Sequence, residues 1–169
     1  GSGGGATTSG PGEGGAGAGG RAQGGAGAGE GGSEPGPGSG AGGSSEAFEF
    51  EAGGERPVTV HVPERDGGEP APLLLVLHGY ASTGALAELY FAVDEAASAR
   101  GVVFAAPDGL MDATTSRYWN GTAACCDYYD SQPDDVGYLE SLVDEIGVEV
   151  AIDPKRVYVL GHSNGGFMA

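Results

Sequence analysis

Two apolar rhythms run through the chain after residue 45. A-F-E-F-E-A (47–52) and V-T-V-H-V (58–62) alternate residue by residue, as strands exposed on one face do. L-L-L-V-L-H (73–78), V-V-F-A-A-P (102–107) and R-V-Y-V-L-G (156–161) are instead continuous apolar runs, the pattern of buried parallel strands. The segment S-T-G-A-L-A-E-L-Y-F-A-V-D-E-A-A-S-A-R-G lies between the third and fourth of these strands and predicts a helix. Ser82 or Thr83 can cap it, Leu86, Leu89, Val93 and Ala97 share a face, and Gly101 stops it. A second helix is predicted from D-D-V-G-Y-L-E-S-L-V-D-E-I-G-V-E-V, between the fourth and fifth strands. Asp134 or Asp135 caps it, and Val136, Leu139, Val143, Ile146 and Val150 recur at three- and four-residue steps. Two strands followed by β-α-β-α-β predict an α/β domain over residues 46–169, with a largely parallel sheet and helices on its faces.

Residues 1–45 break this pattern. They are dominated by glycine, with Ala, Ser, Pro and a few charges, and contain no Val, Ile, Leu, Met or aromatic residue. Such a segment cannot bury enough apolar surface to offset its ordering entropy, so it reads as a disordered tail or linker. The echo of G-G-A-G-A-G-G (14–20) in G-G-A-G-A-G-E (24–30) lacks the apolar residues that a stacking repeat needs. The composition suits a tether between a lipid anchor or cleavage site and a folded domain. The formal net charge of −17 falls mainly on the folded part, because the tail holds one Arg against three Glu. That balance argues against nucleic acid and against anionic lipid as partners. No apolar run approaches the ~18 residues of a transmembrane span.

The two cysteines, Cys125 and Cys126, are adjacent. Neighbouring cysteines close on each other only through a small strained ring, and no further Cys or nearby His completes a zinc set. Two readings stand: a pair of small buried hydrophobes, or pairing with cysteines outside this sequence.

The chemistry concentrates at G-H-S-N-G (161–165). The motif G-x-S-x-G is weak alone, but here it follows a buried strand directly and runs into G-G-F-M-A, which reads as the start of a helix. A strand–serine–helix turn is tight, and Gly161 and Gly165 remove side chains that would collide around it. Ser163 is the candidate nucleophile. The backbone N–H of Asn164 is placed where an oxyanion would form. A second donor is expected from H-G-Y-A-S-T-G (78–84), directly after the third strand, and the N–H of Tyr80 is the candidate. A nucleophile after the fifth strand with a donor after the third is the α/β-hydrolase arrangement.

L-H-G-Y, A-A-P-D-G-L, Y-W-N-G-T-A-A-C-C, D-D-V-G-Y-L, I-D-P-K-R-V-Y-V and G-H-S-N-G-G-F-M-A occur in this order. Together they resemble the secreted polyhydroxybutyrate depolymerase family, whose relatives include bacterial feruloyl and acetylxylan esterases. The resemblance covers about residues 56–169. It implies an α/β-hydrolase fold, ester hydrolysis of a polymer-borne or carbohydrate-linked substrate, and export to the extracellular space or cell envelope. In it, Ser163 matches the nucleophile, and Tyr80 and Asn164 match the oxyanion-hole positions.

A serine hydroxyl also needs a base and a group that orients that base. In this fold both follow the nucleophile in the chain, and after Ser163 comes neither histidine nor acid. His61 reads as a surface residue of an early strand, and His78 as a structural hydrogen-bonder at the end of the third strand. His162 adjoins Ser163, and neighbouring side chains on such a turn diverge. The expectation is therefore an incomplete α/β-hydrolase domain, the N-terminal part of a longer enzyme, inactive alone. No metal or organic cofactor is called for. Competing readings are a serine peptidase of the prolyl-oligopeptidase kind and a non-catalytic truncated protein.

Three further features have two readings each. Trp119 could wall a substrate groove or pack a loop. Asn120-Gly121-Thr122 is a glycosylation sequon or a turn. The acidic run from Asp127 to Asp135 does not match a calcium loop, and reads as helix capping and a solvated face.

Overall fold

The computed structural model describes residues 45–169, and the expected tail, its last residue Ser45 apart, lies outside the described residues. Five strands form one sheet: β1 (Phe48–Ala52), β2 (Val58–Val62), β3 (Ala71–Leu77), β4 (Val103–Ala105) and β7 (Ile152–Gly161). A separate two-stranded hairpin joins β5 (Leu110–Met111) to β6 (Arg117–Tyr118). The helices are α1 (Gly84–Phe91), α2 (Val93–Ser98), α3 (Asp135–Glu149) and α4 (Asn164–Met168). The order across the sheet is β1-β2-β4-β3-β7.

The expectation of a largely parallel sheet needs correction. β4, β3 and β7 run parallel, but β1 pairs antiparallel with β2, and β2 antiparallel with β4. The cause is local. β1 and β2 are joined by a tight turn in which Gly53 and Gly54 take φ of 94° and 55°, and so short a connection allows only an antiparallel pair. At Gly53 a side chain would run into the Arg56 carbonyl oxygen, 2.5 Å from an added Cβ.

Because β4 and β7 flank β3 on opposite sides, the two crossovers place their helices on opposite faces. That explains the continuous apolar run of β3. Leu73, Leu75 and Leu77 join Val58, Val60, Val62, Trp119, Leu139, Leu142 and Ile146 in the core under α3. Leu74 and Val76 point the other way and pack with Ala87, Val93, Ala97 and Phe104 under α1 and α2.

The two predicted helices fare differently. α3 starts where expected, with the Asp134 carboxylate accepting from the Gly137 N–H at 2.9 Å. Leu139, Ile146 and Val150 are buried as predicted, but Leu142 completes the face and Val136 is exposed. Thr83 caps α1 by accepting from the Leu86 N–H at 3.2 Å. The single helix expected beyond it is broken at Ala92, which adopts φ 50° and ψ 46°. A left-handed residue turns α2 away from the axis of α1, so the spacing that linked Leu86 and Leu89 to Val93 and Ala97 no longer defines one face. Leu86 is 56% exposed and Leu89 77%, whereas Val93 and Ala97 are buried. β7 lies at the sheet edge with Tyr158, Val159 and Leu160 exposed. Among the described residues no helix is long and apolar enough to cross a membrane.

Candidate active site

β7 delivers the chain to Gly161, and α4 begins at Asn164, which leaves His162 and Ser163 to make the turn. Ser163 has φ 53° and ψ −118°, a left-handed backbone that a residue with a side chain adopts only under constraint. The constraint is close packing of the turn on β3. The His162 N–H donates to the Leu77 carbonyl at 3.2 Å, and the N–H groups of Gly166 and Phe167 donate to the Ser163 carbonyl at 3.0 and 3.1 Å. A Cβ on Gly161 would collide with the Gly165 carbonyl, and one on Gly165 with the carbonyls of Leu77 and His78. The glycines of the motif are therefore required by space.

The loop after β3 sits directly against this turn. A Cβ placed on Gly79 would lie 3.3 Å from the Ser163 Cβ and 3.3 Å from His162 Nδ1. Ser163, His162, Gly79 and Tyr80 line a cavity of about 390 Å³ whose remaining wall is largely apolar: Leu86, Ala87, Tyr90 and Phe91 of α1, with Ser82. Of the helix face expected to be core, Leu86 instead lines the space beside the serine. As the first residue of α4, Asn164 has no carbonyl one turn back to receive its N–H.

The Asn164 side chain has a second task. It is fully buried, with Oδ1 accepting from the Trp119 N–H at 2.7 Å and Nδ2 donating to the Trp119 carbonyl at 2.8 Å. This bidentate contact ties the start of α4 to the end of β6. Trp119 itself is wholly buried, 5.4 Å from the His78 ring, with the Arg56 guanidinium 5.2 Å from its own. The indole lies in the core and is not among the residues that line the cavity beside Ser163. The Arg56 guanidinium also lies 3.7 Å from the Tyr138 ring and pairs with the buried Asp135 carboxylate at 2.6 Å. The other oxygen of Asp135 accepts from the Asn120 N–H at 2.7 Å. Asp135 therefore departs from the solvated acidic face expected of it, while Asp134 provides the cap. Asn120 donates its side-chain amide to the Pro133 carbonyl at 3.0 Å, and the turn lies just beyond the tripeptide, at residues 123–124.

His78 is fully buried and both ring nitrogens are engaged. The Gly109 N–H lies 2.9 Å from Nε2 and can only donate, so Nε2 is the acceptor. The proton then resides on Nδ1, which donates to the Gly79 carbonyl at 2.7 Å. Burial pushes the His78 pKa below its ordinary value, so the ring stays neutral and pins the loop at Gly79 to the loop at Gly109. His61 pairs across the hairpin with Glu49 at 2.8 Å and stacks on Phe104, 4.5 Å between ring centres. His162 lies with its ring centre 5.3 Å from that of Tyr90.

Two site-supporting carboxylates went unread in the sequence. Asp108 accepts from the Gly84 N–H at 2.8 Å and pairs with Arg117 at 3.2 Å. Asp112 accepts a hydrogen bond from the Tyr80 hydroxyl at 2.7 Å. The P-D-G turn at 107–109 was the one visible signal, and it indicated a loop without its partners. Cys125 and Cys126 are joined to each other, which corrects both readings given for the pair above. Among the described residues no cluster of His, Cys, Asp or Glu could hold a metal ion.

Parallel strands β4, β3 and β7, helices on both faces and a serine in the turn after β7 define an α/β-hydrolase fold. An S-formylglutathione hydrolase from Agrobacterium tumefaciens is similar in structure, with a TM-score of 0.56 at 25% identity, over 75% of this chain and 54% of that one. In sequence the chain is 33% identical over 101 residues to "Putative esterase NocK" of Nocardia uniformis subsp. tsuyamanensis, a match that covers 60% of this chain. It is 31% identical over 103 residues to "Feruloyl esterase B" of Piromyces equi, covering 61% of this chain. The matches span 28% and 18% of those two relatives' own lengths. No family model matches the chain.

Proposed function

We propose that this chain carries the nucleophile and oxyanion hole of a serine carboxylic ester hydrolase. The observation that carries the reading is Ser163, held at φ 53° between β7 and α4 at the wall of an apolar cavity. Ser163 Oγ attacks the ester carbonyl, and its proton passes to a base. The carbonyl oxygen becomes an oxyanion held by the N–H groups of Asn164 and Tyr80. Collapse expels the alcohol, reprotonated by the base, and leaves an acyl-enzyme that water then hydrolyses. Of the three histidines in the sequence, His78 is engaged at both nitrogens, His61 is bonded to Glu49, and the ring of His162 lies against Tyr90. Neither base nor orienting acid is assigned to these residues.

For the substrate we infer a polymer or plant cell-wall ester, with the protein exported and its Gly-rich segment acting as a tether. The similarity to esterases and the apolar wall of Leu86, Tyr90 and Phe91 support the ester substrate alone. Export and tethering rest on the composition of the Gly-rich segment and on the family resemblance. The test is a panel of hydroxybutyrate, feruloyl and acetyl esters beside a peptide amide, run on the protein as its source makes it. Ester turnover that Ser163→Ala abolishes is expected. Amide cleavage without ester cleavage, or ester turnover indifferent to Ser163→Ala, would overturn the proposal. The 169 residues alone should show no useful turnover on p-nitrophenyl esters, because losing the base costs on the order of a millionfold in rate.

A further inference from the structure

We propose that Asp112 is a positioning residue for the oxyanion-binding loop, acting through the hydroxyl of Tyr80. The inference rests on the ester-hydrolase reading and adds to it a residue outside the nucleophile turn. Asp112 lies between β5 and β6 and is 9% exposed. Its Oδ1 accepts from the Thr114 N–H at 2.7 Å, the Thr114 hydroxyl at 2.7 Å and the Ser116 N–H at 3.0 Å. Those three bonds shape the Asp112–Ser116 turn. The Tyr80 hydroxyl donates to the other oxygen, Oδ2, at 2.7 Å from 32 residues earlier in the chain, and contributes nothing to that turn. The Tyr80 bond is the largest cause, and the Thr114 and Ser116 bonds further causes, of a carboxyl pKa lowered to about 2. Asp112 is therefore a charged acceptor throughout the neutral range, and a hydrogen bond to it is strong.

The geometry around Tyr80 gives this bond a consequence. The next residue, Ala81, takes φ 57°, a conformation an alanine does not hold unaided. Its N–H donates to the Arg117 carbonyl at 2.9 Å, on the same β5–β6 hairpin. The hairpin thus grips the loop twice, by the Tyr80 side chain and by the Ala81 backbone. The peptide N–H of Tyr80 comes directly before these two points in the chain, and Gly79 on its other side abuts Ser163. Fixing both neighbours of an N–H fixes its direction, and an oxyanion hole works only when its donors are aimed before charge develops.

The experiment compares Tyr80→Phe, Asp112→Asn, the double variant and Ser163→Ala in the protein as its source makes it. Tyr80→Phe removes one oxygen and leaves the Thr114 and Ser116 bonds intact, so it keeps the test open if Asp112→Asn disturbs the turn. The expected result is a kcat lowered about tenfold in Tyr80→Phe with KM within about twofold, because the loss falls on the transition state. Affinity for a boronic acid mimic of the tetrahedral intermediate should drop by the same factor, with the melting temperature nearly unchanged. The double variant should lose no more than the worse single variant, as one shared interaction requires. Unchanged kcat and boronate affinity in Tyr80→Phe, or losses that add in the double variant, would overturn the assignment while Ser163-dependent turnover stands. Turnover that survives Ser163→Ala would instead sink the ester-hydrolase reading, and this inference with it.

Discussion

The two faces of the sheet are built by opposite means. Under α3, large side chains and a polar network interlock: Trp119, Leu142 and Ile146 are fully buried, Arg56 pairs with Asp135, and Asn164 grips Trp119. Under α1 and α2 the packing rests on Ala87, Val93 and Ala97, while Leu86, Leu89 and Tyr90 stay exposed. The interlocked face connects to the nucleophile turn through Asn164, and the thin face supplies the cavity wall. A nucleophile must be held within a fraction of an ångström, whereas a wall for an apolar group needs only shape and surface. One face therefore holds geometry and the other accommodates a ligand.

This contrast can be broken most forcefully at Arg56. Arg56→Ala leaves the Asp135 carboxylate buried without its cation and should cost about 3–5 kcal/mol of stability, read as a shift in the urea midpoint. A loss under 1 kcal/mol would mean that the ion pair does not hold the α3 face. Asn164→Ala comes next. It leaves the Trp119 N–H and carbonyl unpartnered in the core and should cost about 2–3 kcal/mol on the same urea scale.

A subtler probe uses pH. Because burial lowers the His78 pKa, the unfolded chain binds a proton that the native chain refuses. The contribution of His78 is therefore present above its unfolded value of 6.5 and declines as pH falls below it. Urea midpoints should drop between pH 7.5 and 5.5, and a His78→Asn variant, though less stable throughout, should lose that slope. Least of all for stability, Tyr90→Ala on the thin face should stay within about 0.5 kcal/mol of the parent. It should nonetheless raise KM for esters with a bulky apolar group. A large stability loss there would erase the distinction between the faces.

What was legible in the sequence came from signals spanning a few residues. The alternating and continuous apolar runs located the five main strands, Thr83 and Asp134 were among the expected caps, and Gly161 and Gly165 bracketed the serine turn. Each depends on neighbours within about one helical turn or one strand pleat, so local order suffices. The break at Ala92 escaped because alanine favours helix, and the turn there joins a helix packed on β3 to one packed on β4. The little β5–β6 hairpin escaped because two-residue strands carry no periodicity.

The sequence by itself determined the element types, the α/β class and the serine at a strand-to-helix turn, since periodicity and steric need are written residue by residue. Only the tertiary structure decided the antiparallel half of the sheet and the burial of Trp119. It alone also decided the neutral bridging role of His78, and the pairing of Arg56 with Asp135 and of Tyr80 with Asp112. Those contacts join residues 31 to 79 positions apart. A lone Arg, Asp or Tyr in a loop looks the same whether it faces water or a partner. The distinction arises when folding removes the water and leaves each buried polar group to find its mate.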